Sequence, residues 1–242
     1  MKTRLFHTVL VLLLCLTLSR CGLTGGNAQE HIDTAVRTVE EQYGVHLTVT
    51  KKNPFPGGVN CDVTVSCQEV PGKGIRVFWF NENERVSTDF IYQKYGDEAF
   101  RRISAVAERV QPDAKIVVVD TYNHLISGTY DQSTTLDDYL QENQFKVYFI
   151  FGDIPDEDTM RNRFAAIVEA FLADGINCRD LTLYAMKTPQ KAAAVKTFSY
   201  IAETTEASIV ASSEDIALQA MLGTSHSIQE WHDNPDRKTL VY

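Results

Sequence analysis

Hydrophobic and polar positions in the first part of the chain switch between helical and strand spacing. Apolar residues three or four positions apart predict a helix over 31–43, which a glycine ends. Strict alternation predicts a half-buried strand over 45–50, and prolines and glycines predict a loop over 51–60. Two further strands are predicted over 61–68 and 75–80, and the short connections favour an antiparallel meander.

The middle of the chain continues with helices and strands in turn. A long helix is predicted over 89–110, followed by a strand over 115–122 that contains a continuous apolar run. A short helix over 136–142 and a strand over 145–151 come next. The pattern predicts a chain in which helices cover a sheet.

The clearest helix of the sequence follows the strand over 145–151. Its apolar side chains form one continuous stripe, made of Met160, Phe164, Ile167, Val168, Phe171 and Leu172. Gly175 caps it, and a strand is predicted over 181–186. Because the links are brief, this strand–helix–strand order predicts a βαβ-like unit with two parallel strands.

The C-terminal part has weaker patterns. Residues 191–204 are rich enough in alanine for a helix, whereas 197–201 also alternate like a strand, so both interpretations stay open. A helix is predicted over 214–222, where a glycine follows. Residues 225–242 have no strong pattern, although Trp231 is a candidate to dock on the body of the protein.

These elements predict an α+β fold with a mixed or antiparallel sheet covered by helices. The polar, glycine-containing stretch over 123–133 is a candidate boundary. It gives a first α+β subdomain over 31–123 and a second over 124–242. Two organisations fit this pattern, namely two related α+β subdomains or one larger domain.

The N-terminal residues have the pattern of an export signal. Lys2 and Arg4 precede an apolar run over 9–18, which is shorter than the roughly 20 residues that a membrane-spanning helix needs. With Leu18-Ser19-Arg20-Cys21 at its end, the segment resembles the signal sequence of bacterial lipoproteins. The resemblance implies that 1–20 are a signal peptide and that Cys21 becomes the lipidated first residue.

Other processing schemes stay open, because Arg20 stands where lipoproteins usually have a small residue. One is ordinary secretion with cleavage after Ala28, and another is an uncleaved anchor. Residues 24–29 are small and polar and include two glycines, so 21–30 are predicted to form a flexible tether.

Charge excludes some classes of partner. The net charge of the full chain is −9, and the first 21 residues contain three basic residues and no acidic one. The remainder is therefore more acidic still. Nucleic acid is excluded as a partner on this ground, since phosphate contacts come from lysine and arginine.

The sequence contains no motif for a nucleophile elbow, a phosphate loop, a dinucleotide site or a zinc protease. No cofactor or metal is predicted. The pair to test is Asp120 and His124, a carboxylate and an imidazole at the end of an apolar strand. The acidic cluster over 153–158 precedes the clearest helix, where it is predicted to cap that helix.

The remaining cysteines, Cys61, Cys67 and Cys178, allow two interpretations. Either one of the first two pairs with Cys178, or all three are small buried hydrophobic residues, which is favoured.

The sequence thus predicts an exported, lipid-anchored protein that acts as a non-catalytic binding or interaction module. Its partners would be the membrane, through a lipid on Cys21, and an unknown protein or small ligand at the cell surface. The predicted location is the extracytoplasmic face of the cell membrane, with secretion as the alternative. Two other functions stay open: a cell-surface hydrolase with a site assembled from scattered residues, and a structural envelope lipoprotein.

Overall fold

A computed structural model describes most of the chain after the N-terminal segment. The described residues are 24–54, 60–80, 85–120, 130–142, 145–199, 207–210, 213–222, 225, 227–234 and 239–241. They divide into two compact units. The first unit takes its residues from Met1–Lys94 and Leu125–Ser133, and the second from Tyr95–His124 and Thr134–Tyr242.

The predicted boundary between 123 and 124 lies outside the described residues, so the predicted subdomain limits stay a prediction. None of the helices within the described ranges has the length and apolar character needed to cross a membrane.

The first unit consists of one helix over a four-stranded antiparallel sheet, with strand order β1-β2-β3-β4. Direct pairs such as Val63 with Val77 keep the three neighbouring strands in one meander, which confirms the predicted connections. The helix buries one stripe of apolar side chains, and so does the sheet beneath it. The elements are α1 (Thr24–Tyr43), β1 (Thr48–Pro54), β2 (Asn60–Ser66), β3 (Ile75–Phe80) and β4 (Arg85–Thr88).

Two parts of the first unit differ from the predictions. Residues 24–30 were predicted within a flexible tether, yet α1 begins at Thr24. Once residues 32–43 are helical, each residue added at the N-terminal end of the helix forms one more backbone hydrogen bond. This gain offsets the weak helix propensity of the two glycines. The loop predicted over 51–60 is strand as far as Pro54, because β1 continues its pairing with β2. Gly44 ends α1 as predicted, with φ of 66°.

The sheet face opposite α1 carries a buried ion pair. Arg76 on β3 is hydrogen-bonded to Asp62 on β2, and its guanidinium lies 4.5 Å from the centre of the Phe78 ring. Asp62 is only 5 % exposed, and its second carboxylate oxygen has no hydrogen-bond partner among the described residues. Burial of a half-satisfied carboxylate opposes stability, so this pair contributes to the register of β2 and β3 more than to stability.

Helix α2 (Phe90–Val110) begins in the first unit, and the division between the units falls within it. The second unit contains a five-stranded mixed sheet with strand order β11-β10-β7-β6-β5. After α2, the helices and strands of the second unit are β5 (Lys115–Asp120), α3 (Leu136–Glu142), β6 (Phe145–Phe151), α4 (Glu157–Ala173), β7 (Cys178–Met186), α5 (Pro189–Ala194), β8 (Lys196–Ser199), β9 (Ala207–Val210), β10 (Ile216–Met221), α6 (Ile228–Asp233) and β11 (Leu240–Val241).

Strands β6 and β7 pair in parallel and are joined by α4, which confirms the predicted βαβ-like unit. Helix α4 buries five residues of the predicted stripe, and the ring of Phe171 lies 6.2 Å from that of Phe149 on β6. Asp156 caps the helix by accepting a hydrogen bond from the Thr159 amide, at 2.7 Å, as the acidic cluster predicted. Packing of α4 fixes one face of the sheet as the core face.

The C-terminal predictions have mixed outcomes. The helix predicted over 214–222 is wrong, because Ile216–Met221 is strand β10 and pairs with β7 and β11. Its short apolar run fits helical and strand spacing equally, and pairing with a distant strand decides between them. Residues 191–204, for which both a helix and a strand were predicted, contain the end of a short helix, α5, and a strand, β8. Trp231 on α6 docks as predicted, 4 % exposed, with its ring 5.2 Å from that of Phe164.

Helices and strands alternate along the middle of the chain, yet β6 and β7 are the only described strands that pair in parallel. The sheet of the first unit is antiparallel, and the second unit contains the mixed five-stranded sheet and the antiparallel pair β8-β9. Helices pack against both larger sheets. The protein has the predicted α+β fold.

Candidate functional site

The residues predicted from sequence lie at or beyond the limits of the described structure. Cys21, the predicted lipidation site, and His124 lie outside the described residues. Asp120 is the last residue of β5, and its side chain lies outside the described part of the chain. The Asp120–His124 pair and the lipid on Cys21 therefore stay predictions.

Among the described residues, helices cover one face of the second sheet fully and the other face only in part. Side chains alternate between faces along a strand, so Phe149 faces α4 while Tyr148 and Ile150 point to the opposite side. On that opposite side, α5 packs one end of the face through Ala192 and Val195. The other end carries six partly exposed side chains and one buried one, Thr182, which together we call the open face: Lys146, Tyr148, Asp180, Thr182, Tyr184, Gln219 and Met221.

Two tyrosines are the centre of the open face. Tyr148 on β6 and Tyr184 on β7 stack with ring centres 6.4 Å apart and planes 11° apart. Both are half-buried and lie against the cluster under α5. Burial raises the pKa of the Tyr184 phenol, and the negative charge of Asp180 raises it further. The phenol therefore stays neutral and keeps its hydrogen to donate.

Polar groups surround the tyrosine pair. The Thr182 hydroxyl donates to Asp180 Oδ1 at 3.1 Å, and Lys146 Nζ lies 3.9 Å from Asp180 Oδ2. Gln219 Nε2 lies 3.8 Å from the sulfur of Met221 at the next position on the same side of β10. The open face thus combines aromatic rings, a polarisable sulfur and a few hydrogen-bonding groups. This mixture is typical of surfaces that bind other molecules.

Helix α5 restricts the open face to one end of the sheet. Its N-cap is Thr188, whose hydroxyl accepts from the Lys191 amide at 3.2 Å. Lys115 Nζ donates to the Val195 carbonyl at 2.5 Å, which ties the end of the helix to β5. Because the bond from Lys115 ties the C-terminal end of α5 to β5, the border of the open face is fixed beside the tyrosines.

A concave feature lies in the first unit, where the chain enters β1 and leaves β2. It is a cleft of about 460 Å³, lined by His46, Thr48, Ser66, Cys67, Gln68 and Glu69. Burial raises the pKa of the Cys67 thiol; the Glu69 carboxylate raises it further, whereas a backbone hydrogen bond with Val70 lowers it. A thiol held in its protonated form is a poor nucleophile, so this cleft lacks an activated cysteine.

The cysteines do not form a described disulfide. Cys67 is a half-buried free thiol, whereas Cys178 is a buried free thiol whose pKa burial raises strongly. The favoured interpretation of three buried cysteines therefore holds for Cys178 and not for Cys67, and the side chain of Cys61 lies outside the described residues. Among the described residues, no group of three or more histidines, cysteines or acidic residues is placed to hold a metal ion.

Sequence analysis did not single out Tyr148 and Tyr184, although the signal was present. In β6, Lys146 and Tyr148 alternate with fully apolar residues. In β7, Thr182 and Tyr184 do the same. What the alternation does not reveal is that β6 and β7 are neighbours in a register that stacks the two rings.

No protein-family model matches this chain, and no curated protein matches it. Among solved structures, the chain is similar to the crystal structure of a DUF5037 family protein from Ruminococcus gnavus, with a TM-score of 0.30 and 14 % sequence identity. The match covers 66 % of this chain and 76 % of that chain. This similarity is distant.

Proposed function

We propose that this chain is an exported, lipid-anchored and non-catalytic module that binds a protein partner at the extracytoplasmic face of the cell membrane. The observation that carries the binding role is the stacked, half-buried pair Tyr148 and Tyr184 on the open face. The observation that supports the location is the lipoprotein-like segment that ends at Cys21.

The geometry of the tyrosine pair favours a protein partner over a flat ring ligand. Side chains stand roughly perpendicular to a sheet, and these two rings face one another. One face of each ring is therefore turned to the other ring, which leaves no room for a flat ligand between them, and the ring edges and hydroxyl groups point away from the sheet. Such edges suit the mixed apolar and hydrogen-bonding contacts of a protein interface, where tyrosine is enriched.

Hydrolysis has weaker support than binding. A hydrolase needs a nucleophile or an activated water beside an acid–base group. The thiol of Cys67 is kept protonated by its surroundings, and the side chains of Asp120 and His124 lie outside the described residues. The charge of the chain also favours a protein partner over nucleic acid, since its net charge is −9.

Site-specific photo-crosslinking in living cells tests the binding role. Tyr148 is replaced by benzoylphenylalanine, an aromatic residue that forms covalent adducts with nearby molecules under ultraviolet light. The matched control carries the same replacement at Gln141, an exposed residue of α3 in the same unit. We expect a discrete adduct of higher mass, several-fold stronger at position 148 than at position 141. Equal adducts at both positions, or none at position 148, would contradict the proposal.

A further inference from the structure

The free edges of the two larger sheets are protected to different degrees. At the edge strand β1, Lys51 and Lys52 are exposed, the register shifts between Val49 and Lys51, and the strand ends at Pro54. The edge strand β4 has four residues, and β11 has two. Lysines, irregular register, proline and short length are the features by which proteins prevent an edge from pairing with another chain.

Strand β5 is an edge of the second sheet with only one of these features, a lysine at its first position, and the side chain of that Lys115 is bound to the Val195 carbonyl. Its six residues pair with β6 in continuous register, from Lys115 opposite Ile150 to Asp120 opposite Phe145. The interior of the strand is Ile116–Val119, which is apolar, β-branched and free of proline. Among the described residues, no backbone group is hydrogen-bonded to the outer edge of β5. Alternate amides and carbonyls of this strand therefore point away from the sheet.

The surface beside this edge is continuous with the open face. Val117 and Val119 are buried in the cluster under α5, and Val117 lies directly opposite Tyr148 in the register. A strand added beyond β5 would place every second side chain next to these two valines. It would extend both the apolar cluster and the row of side chains that contains Tyr148.

We infer that β5 binds an extended, neutral or basic segment of a protein partner by strand addition. Main-chain hydrogen bonds to the outer edge of β5 supply affinity, and side chains beside Val117, Val119 and Tyr148 supply specificity. This inference rests on the proposed function and specifies that the partner binds as an extended segment. The open face would then form one side of a peptide-binding groove.

A second copy of this chain is a less favourable occupant. Each copy has a net charge of −9, so two copies repel one another on approach, whereas a basic segment is attracted. An extended segment also needs only its own main chain to pair with β5, and it requires no matching surface on a folded partner.

Hydrogen exchange of the β5 amides, followed by nuclear magnetic resonance on the mature chain, tests this inference. In dilute protein alone, we expect alternate amides of β5 to exchange fast. The probe is a blocked eight-residue peptide of alternating valine and threonine with a lysine at each end. At a peptide concentration about ten times its Kd, we expect exchange of those fast amides to slow about tenfold.

Two control peptides make the test specific. The same peptide with alternate amides N-methylated lacks the donors for strand pairing and should leave exchange unchanged. The same peptide with glutamate at each end should bind several-fold more weakly, because the chain is acidic.

Three results would overturn strand addition. They are full protection of β5 in dilute protein alone, protection that rises with protein concentration without peptide, and no effect of the lysine peptide on β5. The second of these would assign the edge to a second copy of the chain. If a crosslinked adduct forms at position 148 and any of these three results is also found, the proposed function stands and strand addition is wrong.

Discussion

Replacing Cys21 with serine is expected to abolish attachment of fatty acid to the protein. The resemblance to lipoprotein signal sequences implies that the lipid is attached to the thiol of Cys21. Serine has no thiol at this position, so the lipid should not be attached. Each buried methylene contributes about 0.8 kcal/mol to membrane binding, so we expect the membrane-bound fraction to fall by roughly tenfold or more. Labelling with a clickable fatty acid, followed by fractionation, measures both effects.

Cys15 supplies the matched control for this substitution. It is the other cysteine of the N-terminal segment and lies within the apolar run, six residues before Cys21. The Cys15→Ser variant should keep full labelling and full membrane retention. If Cys21→Ser is labelled and retained as strongly as Cys15→Ser, the lipid-anchor proposal is wrong.

Replacing Phe149 with alanine is expected to destabilise the second unit by about 3–5 kcal/mol, which is the usual cost of removing a buried phenylalanine. Phe149 is 0 % exposed and contacts the core-facing side of α4 through Phe171. The residue before it, Tyr148, points to the open face and is half-buried. Tyr148→Ala should therefore lose less than half as much stability while it weakens partner binding.

Urea unfolding followed by the fluorescence of Trp231 measures this difference. Trp231 lies in the second unit, and Trp79→Phe removes the other tryptophan of the chain. Both alanine variants are compared in that background. Equal losses of unfolding free energy at the two positions would mean that β6 does not divide a core face from an open face.

The elements that sequence analysis predicted well are those fixed by local pattern. Helix α4 has a stripe at helical spacing, an acidic cap and a C-terminal glycine, Gly175, with φ of 70°. Each of these signals depends on residues only a few positions apart. Strand β6 likewise has the predicted bounds, because its apolar stretch lies between Gln144 and Gly152.

The elements that were missed depend on distant parts of the chain. Strand β10 was predicted as part of a helix, and its strand conformation comes from pairing with β7, about thirty residues earlier in the sequence. Strand β4 was not predicted, since its four residues give too short a pattern to recognise. The candidate site follows the same rule. Tyr148 and Tyr184 meet only because β6 and β7 are parallel neighbours, and α5 leaves their end of the face open.

The mass of the mature N-terminus tests the anchored-module proposal most directly. Protein is isolated from the membrane fraction, and its N-terminal peptide is measured by mass spectrometry. We expect a peptide that begins at Cys21 and carries the added mass of a lipid. A mature chain without lipid that begins at Gln29, after Ala28, or one that still begins at Met1, would contradict lipid anchoring.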